Sequence, residues 1–185
     1  AAALPVMQRV AREIGQSIHL SVHYDRRILV VTQVDSPEPM GFSVRLGSHY
    51  PFRDDLASVF VLTAFQPADE QQRLIEELKA NGLRRGDLRS LHATLAQVRK
   101  RGYYQAPSAV IGGVIELSLP VFSSESGAVG ALASPYLKQR DVRIDLAHAR
   151  IALAHAAKEI SAGLGASVRR SAQRTMTARR STGPA

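Results

Sequence analysis

The sequence predicts an α+β fold, a mainly antiparallel sheet flanked by helices. Two observations carry the strands: apolar and polar residues alternate in SIHLSVHYDRRILVVTQV (17–34) and in GVIELSLPVFSSESGAVGALAS (113–134), each interrupted by turn residues as in a hairpin. A third carries the helices, because apolar residues recur at helical spacing in 69–80, 87–101 and 141–164. The resulting order is one helix, three strands, three helices, two strands and a final helix.

Residues 3–15 form the first helix, opened by Pro5, with Leu4, Val6, Val10 and Ile14 on one side and Gly15 as its stop. In the first hairpin Ile18, Leu20 and Val22 alternate with His19, Ser21 and His23, and Tyr24–Arg27 turns the chain into the β-branched run 28–34. A third strand is expected over Gly41–Leu46, after the turn at Pro37-Glu38-Pro39. A buried helix is expected over Asp54–Phe65, with Asp54 and Asp55 beside its exposed first amides, followed by an amphipathic helix over Asp69–Ala80 that ends at Asn81-Gly82.

The next helix has complete punctuation. Asp87 stands at the N-cap, Leu88, Leu91, Leu95 and Val98 make its apolar stripe, and Arg99, Lys100 and Arg101 precede Gly102. Cations suit the negative end of the helix dipole, so VRKRGYYQ reads as a helix end before it reads as a nucleic-acid surface. Strands over Val114–Phe122 and Ala128–Ser134 follow, joined at 123–127, and a helix over Asp141–Leu164 closes the fold on a seam of Val142, Leu146, Ala149, Leu153, Ala156 and Ile160.

The 185 residues suffice for one good-sized domain, and the 45% hydrophobic content supplies its core. No apolar run reaches the ~18 residues that read as a membrane span. The opening AAALPVMQRVAREIG is broken by Gln8 and Arg9 too early for a signal peptide, so a cytoplasmic protein is expected. It has no initiator Met, so an N-terminal part is expected to precede it. The absence of cysteine excludes disulfides, thiolate zinc sites and a cysteine nucleophile. Of the 24 cations behind the formal charge of +8, five arginines lie in 166–185, leaving 19 against 16 anions. Residues 1–165 are thus expected to form the domain, and 166–185 a basic flexible tail.

No catalytic set emerges. His19 and His23 lie four apart on a strand, about 13 Å, and His148 and His155 seven apart on a helix, about 10 Å, so no metal site is expected. No phosphate loop follows Gly112-Gly113, and Ser118 lacks the glycines of a nucleophile elbow. The reading is therefore no enzyme, no cofactor and no metal. One polar position stands out: Ile115, Leu117, Leu119 and Val121 fill one sheet face, which turns Val114, Glu116 and Ser118 to the other, where a covered Glu116 needs a protein or ligand partner.

Over about residues 4–165 the chain resembles the effector-binding domain of IclR-type bacterial transcription regulators. The resemblance rests on GQSIHLSVHYDRRILVVTQVDS, SVRLGSHYPFRDDLA, LHATLAQVRKRGYYQ and GGVIELSLPVFSSESGAVGALASPYL in that order. It includes an Arg-x-x-Gly-Tyr at Arg99–Tyr103 and the Gly113 and Pro120 that bracket the next strand. It implies a GAF-like domain that binds a small-molecule effector, self-associates as a homodimer or homotetramer, and meets DNA only through an N-terminal winged helix-turn-helix outside these residues, with no membrane partner. It also implies a ligand site drawn from Arg53, Leu56, Ala57, Ala106, Glu116, Ala133, Ser134 and Pro135. Several family features depart here: Ser58-Val59 replaces Gly-Lys, Ala109 an acidic residue, and Ala133 and Pro135 hydroxyl residues. These changes predict a more apolar, neutral or cationic ligand. The alternatives are an enzyme acting on a metabolite in the same cavity, and direct nucleic-acid binding through the basic tail.

Overall fold

The computed structural model describes residues 3–39, 41–83, 87–124, 127–138 and 145–166. The predicted basic tail from Ser167 onward, and the predicted helical start at Asp141 with its seam residue Val142, lie outside the described residues.

Six strands form one sheet in the order β3-β2-β1-β6-β5-β4, with every neighbouring pair antiparallel. They are β1 (Ile18–Tyr24), β2 (Arg27–Val34), β3 (His49–Pro51), β4 (Tyr104–Pro107), β5 (Val114–Phe122) and β6 (Ala128–Leu137). The helices are α1 (Ala3–Ile14), α2 (Ala57–Ala64), α3 (Ala68–Ala80), α4 (Leu88–Arg101) and α5 (Leu146–Gly163). This is the expected α+β class.

Alternation along the strands builds two cores. Leu117, Leu119, Val121, Leu132 and Tyr136 pack with α1 and α5 on one side. Ile28, Tyr104 and Ala131 pack with α2, α3 and α4 on the other. All eight residues of α2 are buried, so it is the central helix of the second layer. Where α1 crosses α5, Arg9 pairs with Glu159 at the rim.

The β1–β2 turn places Asp25 and Arg26 at φ 45° and 59°, the left-handed pair that matches the twist of a two-residue hairpin loop. The ladder then shifts between Leu20 and Ser21, which face Thr32 and Val30, so Val31 is the extra residue of a bulge. The ends of α4 are as read from sequence: Asp87 accepts a hydrogen bond from the Ser90 amide at 2.9 Å, and Gly102 takes φ 86°.

Five elements differ from expectation. Residues 41–46 form no strand; Gly41 lies so close to Ser36 that an added Cβ would stand 2.8 Å from the serine Cβ, and the Ser17 hydroxyl donates to the Phe42 carbonyl. Gly47, at φ 78°, turns the chain, and the residues after it pair with β2 as β3. The second helix starts at Ala57 rather than Asp54; Leu56 occupies its N-cap without a side-chain bond, so the aspartates do not cap it. Strand β4 was not anticipated, and β6 runs three residues past Ser134. The closing helix is capped by Asp145, which accepts from the His148 amide at 2.8 Å, and its buried face, widened by Ala152, Ala157 and Ser161, is broader than a heptad seam because it lies on a sheet as well as on α1. None of the described helices is long and apolar enough to cross a membrane.

Candidate functional site

Residues directly opposite each other in a ladder project to the same sheet face. Tyr104 is opposite Ser118, Ser118 opposite Ala133, and Ala133 opposite His19, one row across β4, β5, β6 and β1. Tyr104 belongs to the α2-side core, which fixes the face of the whole row. The adjacent row on that face is Ala106, Glu116 and Pro135. Four of the expected ligand residues, Ala106, Glu116, Ala133 and Pro135, thus share one face. Ser134 is opposite Leu117, a residue of the α1/α5 core, and so is turned to the other side of the sheet.

The polar groups on this face are unevenly satisfied. Ser108 donates to Glu116 Oε1 at 2.8 Å while its hydroxyl accepts from the amides of Val110 and Ile111, which ties the loop after β4 to the carboxylate. The Ser118 hydroxyl is fully buried and has no hydrogen-bond partner among the described residues, and the same holds for His19 Nδ1. Burial also lowers the His19 pKa to about 4, since a desolvated imidazolium is disfavoured, so the ring is neutral at physiological pH. Between these groups Ala133 contributes only a methyl. Sequence reasoning turned Ser118 to the covered face without assigning it a role, and it missed His19; the only signal for either was the strand alternation.

The remaining expected residues enter from the segment before α2. Arg53 and Asp55 pair at 3.3 Å, leaving Arg53 Nε and Asp55 Oδ1 buried without a hydrogen bond among the described residues. Leu56 and Ala57 pack into the α2-side core. Ser21 donates to the Ser58 hydroxyl at 2.9 Å, which seats the first turn of α2 on β1, two residues along the strand from His19.

Beyond the strand rows, a cleft of about 290 Å³ opens between α4, α2 and β4. Phe60, Leu91, Val98 and Tyr104 form its apolar wall, and the Phe60 and Tyr104 rings stack 4.7 Å apart. Asp54, Gln97, Arg101, Gln105 and the hydroxyls of Ser90 and Thr94 supply its polar lining, with Tyr103 and Ala106 completing the side toward β4. Of the expected ligand residues only Ala106 reaches this cleft.

Ser118 and His19 are separated by β6, so about 10 Å lies between their strands, too far for a nucleophile and its base.

The family model described as "Bacterial transcriptional regulator IclR C-terminal" matches residues 1–162. Among curated proteins none matches. Among solved structures, the C-terminal domain of the E. coli transcriptional regulator KdgR is similar at TM-score 0.72 and 23% identity, over 89% of this chain and 97% of that one. A Rhodococcus sp. regulator assigned to the IclR family gives TM-score 0.73 and 25% identity, over 86% of this chain but 61% of that one. An IclR-type regulator from Alicyclobacillus acidocaldarius gives TM-score 0.73 and 21% identity, over 89% and 67%. The chain therefore spans nearly all of an isolated C-terminal domain and about three fifths to two thirds of the longer regulators.

Proposed function

Since the chain belongs to the family of bacterial IclR transcriptional regulator C-terminal domains, we propose that residues 1–165 are the small-molecule-sensing part of a cytoplasmic transcription factor, not an enzyme. The effector is held on the α2 side of the sheet, over Glu116, Ala133 and Pro135, with Ala106, Leu56, Ala57 and Arg53 around it. Ser134, turned to the opposite side, is kept only as a support of that strand. Binding shifts the arrangement of a homodimer or homotetramer, and with it the DNA affinity of a winged helix-turn-helix outside these residues. A ligand does this only if it binds the two arrangements with different affinity. The basic segment 166–185 is a separate tail in this reading.

The observation that carries the proposal is the row Ser118–Ala133–His19 beneath α2. Two buried polar groups without hydrogen bonds among the described residues flank a methyl-sized position on the face that the family resemblance implies. Burying such groups unsatisfied is costly, and a ligand that bonds to them recovers that cost. A thermal-shift screen of neutral, cationic and anionic metabolites tests it. A stabilising compound is expected, and its effect should shrink in Ser118→Ala and in Glu116→Ala. Compounds whose effect survives both substitutions would place the effector elsewhere.

A further inference from the structure

The cleft along α4 shares only Ala106 with the sheet-face site, and the geometry points to a second ligand site there, one for a small planar molecule with a single negative charge. Its volume of about 290 Å³ is at the lower limit of small-molecule pockets, which admits one ring with a short substituent. The wall for such a ring is already in place: Phe60 and Tyr104 are buried and stacked nearly parallel at 4°, and Leu91 and Val98 face the cleft from α4.

The charge preference comes from one margin of the cleft. Ser90, Thr94, Gln97 and Arg101 recur in steps of four, three and four, which keeps them on one stripe of α4, and all four line the cleft. Arg101 ends the stripe. Its neighbour in the basic run, Arg99, is occupied, donating to the carbonyls of Ala64 and Gln66. Arg101 lines the cleft and takes part in none of the ion pairs among the described residues. A guanidinium presents a planar fork of donors to a carboxylate, and the carboxamides of Gln97 and Gln105 in the same lining add neutral donors.

Two features give an anion no support and thereby restrict where it can sit. Asp54, a buried acidic residue of the same lining, adds no charge that attracts an anion. The C-terminal end of α4 is the negative end of its dipole. Among the described lining residues Arg101 is the one cation, so the preference is assigned to this side chain.

The test uses the 185-residue protein and two one-ring probes of similar shape, benzoate and benzamide, followed by calorimetry and ligand-observed NMR at low salt. Benzoate should bind more tightly than benzamide. Arg101→Gln, at an exposed helix end, should weaken benzoate by about tenfold or more and leave benzamide within about twofold, and Arg101→Lys should recover part of the loss. Ser118→Ala on the sheet face should leave benzoate binding unchanged. Equal affinity for both probes, binding of neither at millimolar concentration, or an equal response to Arg101→Gln and wild type would overturn the proposal. Loss of benzoate in Ser118→Ala alone would assign the anion to the sheet-face site instead.

Discussion

Tyr103 and Tyr104 are neighbours in the chain but serve opposite layers. The Arg150 guanidinium of α5 sits 4.9 Å from the Tyr103 ring centroid, whereas Tyr104 stacks on Phe60 of α2 at 4.7 Å. Tyr103 packs against the α1/α5 core and Tyr104 belongs to the α2-side core. Both line the cleft. An occupant would therefore meet one tyrosine from each side of the sheet.

The Phe60–Tyr104 stack should dominate local stability. Phe60→Ala removes a buried ring and leaves a cavity, and should cost about 3–5 kcal/mol in urea unfolding. Arg150→Met keeps much of the side-chain bulk over Tyr103 and should cost under about 1 kcal/mol. A reversal of this order would mean that the α5 contact, and not the stack, holds the entrance to β4.

His19 gives stability a definite dependence on pH. Its folded pKa of about 4 lies below the ordinary imidazole value of 6.5, so between those values the unfolded chain binds more protons at this position and stability falls as pH is lowered. The loss should amount to about 2–3 kcal/mol near pH 4. Carboxylates also titrate there, so the measured quantity is the difference between wild type and His19→Gln. Parallel stability profiles from pH 7 to pH 4 would refute the assignment.

Glu77 pins the first hairpin to α3. His23 Nε2 lies 3.0 Å from Glu77 Oε1, Arg73 stands 3.7 Å from the other carboxylate oxygen, and the His23 ring meets Phe52 edge-on at 4.5 Å. His23→Ala leaves a buried carboxylate with one distant cation and should cost about 2–3 kcal/mol, while Glu77→Gln, which keeps a hydrogen bond, should cost less. A double-mutant cycle measures the coupling directly.

Helix α4 offers a milder comparison. Asp87→Ala deletes the N-cap acceptor and should cost about 1 kcal/mol. Gly102→Ala meets no atom within 4 Å, so its cost should be the backbone strain of φ 86° alone, about 1–2 kcal/mol. Additive effects in the double variant would show that the two ends act independently.

These particulars also show what the sequence made legible. The ends of α4 were readable because capping is local chemistry: the Asp87 carboxylate, the cations and Gly102 all act within a turn. The face shared by Glu116 and Ser118 was readable because a strand has a period of two. Strand β4 was not, since YQAP has no alternation of its own and becomes a strand only when β5 is beside it. Ser134 stood with Ala133 and Pro135 because the family resemblance implies that stretch of the last strand, although the period of two turns it to the other core. The position of Asp54 is likewise tertiary, since it falls in the turn before α2 and lines a cleft whose other wall is α4, more than thirty residues later.

The pairing of β1 with β6 has a consequence for how the molecule is made. His19, Leu20 and Ser21 lie opposite Ala133, Leu132 and Ala131, so the central seam of the sheet joins residues 110 or more positions apart. Contacts of such sequence separation are slow to close, because the entropy of a long loop must be overcome before any ladder bond compensates it. During synthesis the β1–β2 hairpin and α2–α4 emerge while the seam still lacks its second strand. The free edge of β1 therefore stays open until β6 has left the ribosome, and this waiting stage is where the chain is most exposed to pairing with another copy of itself.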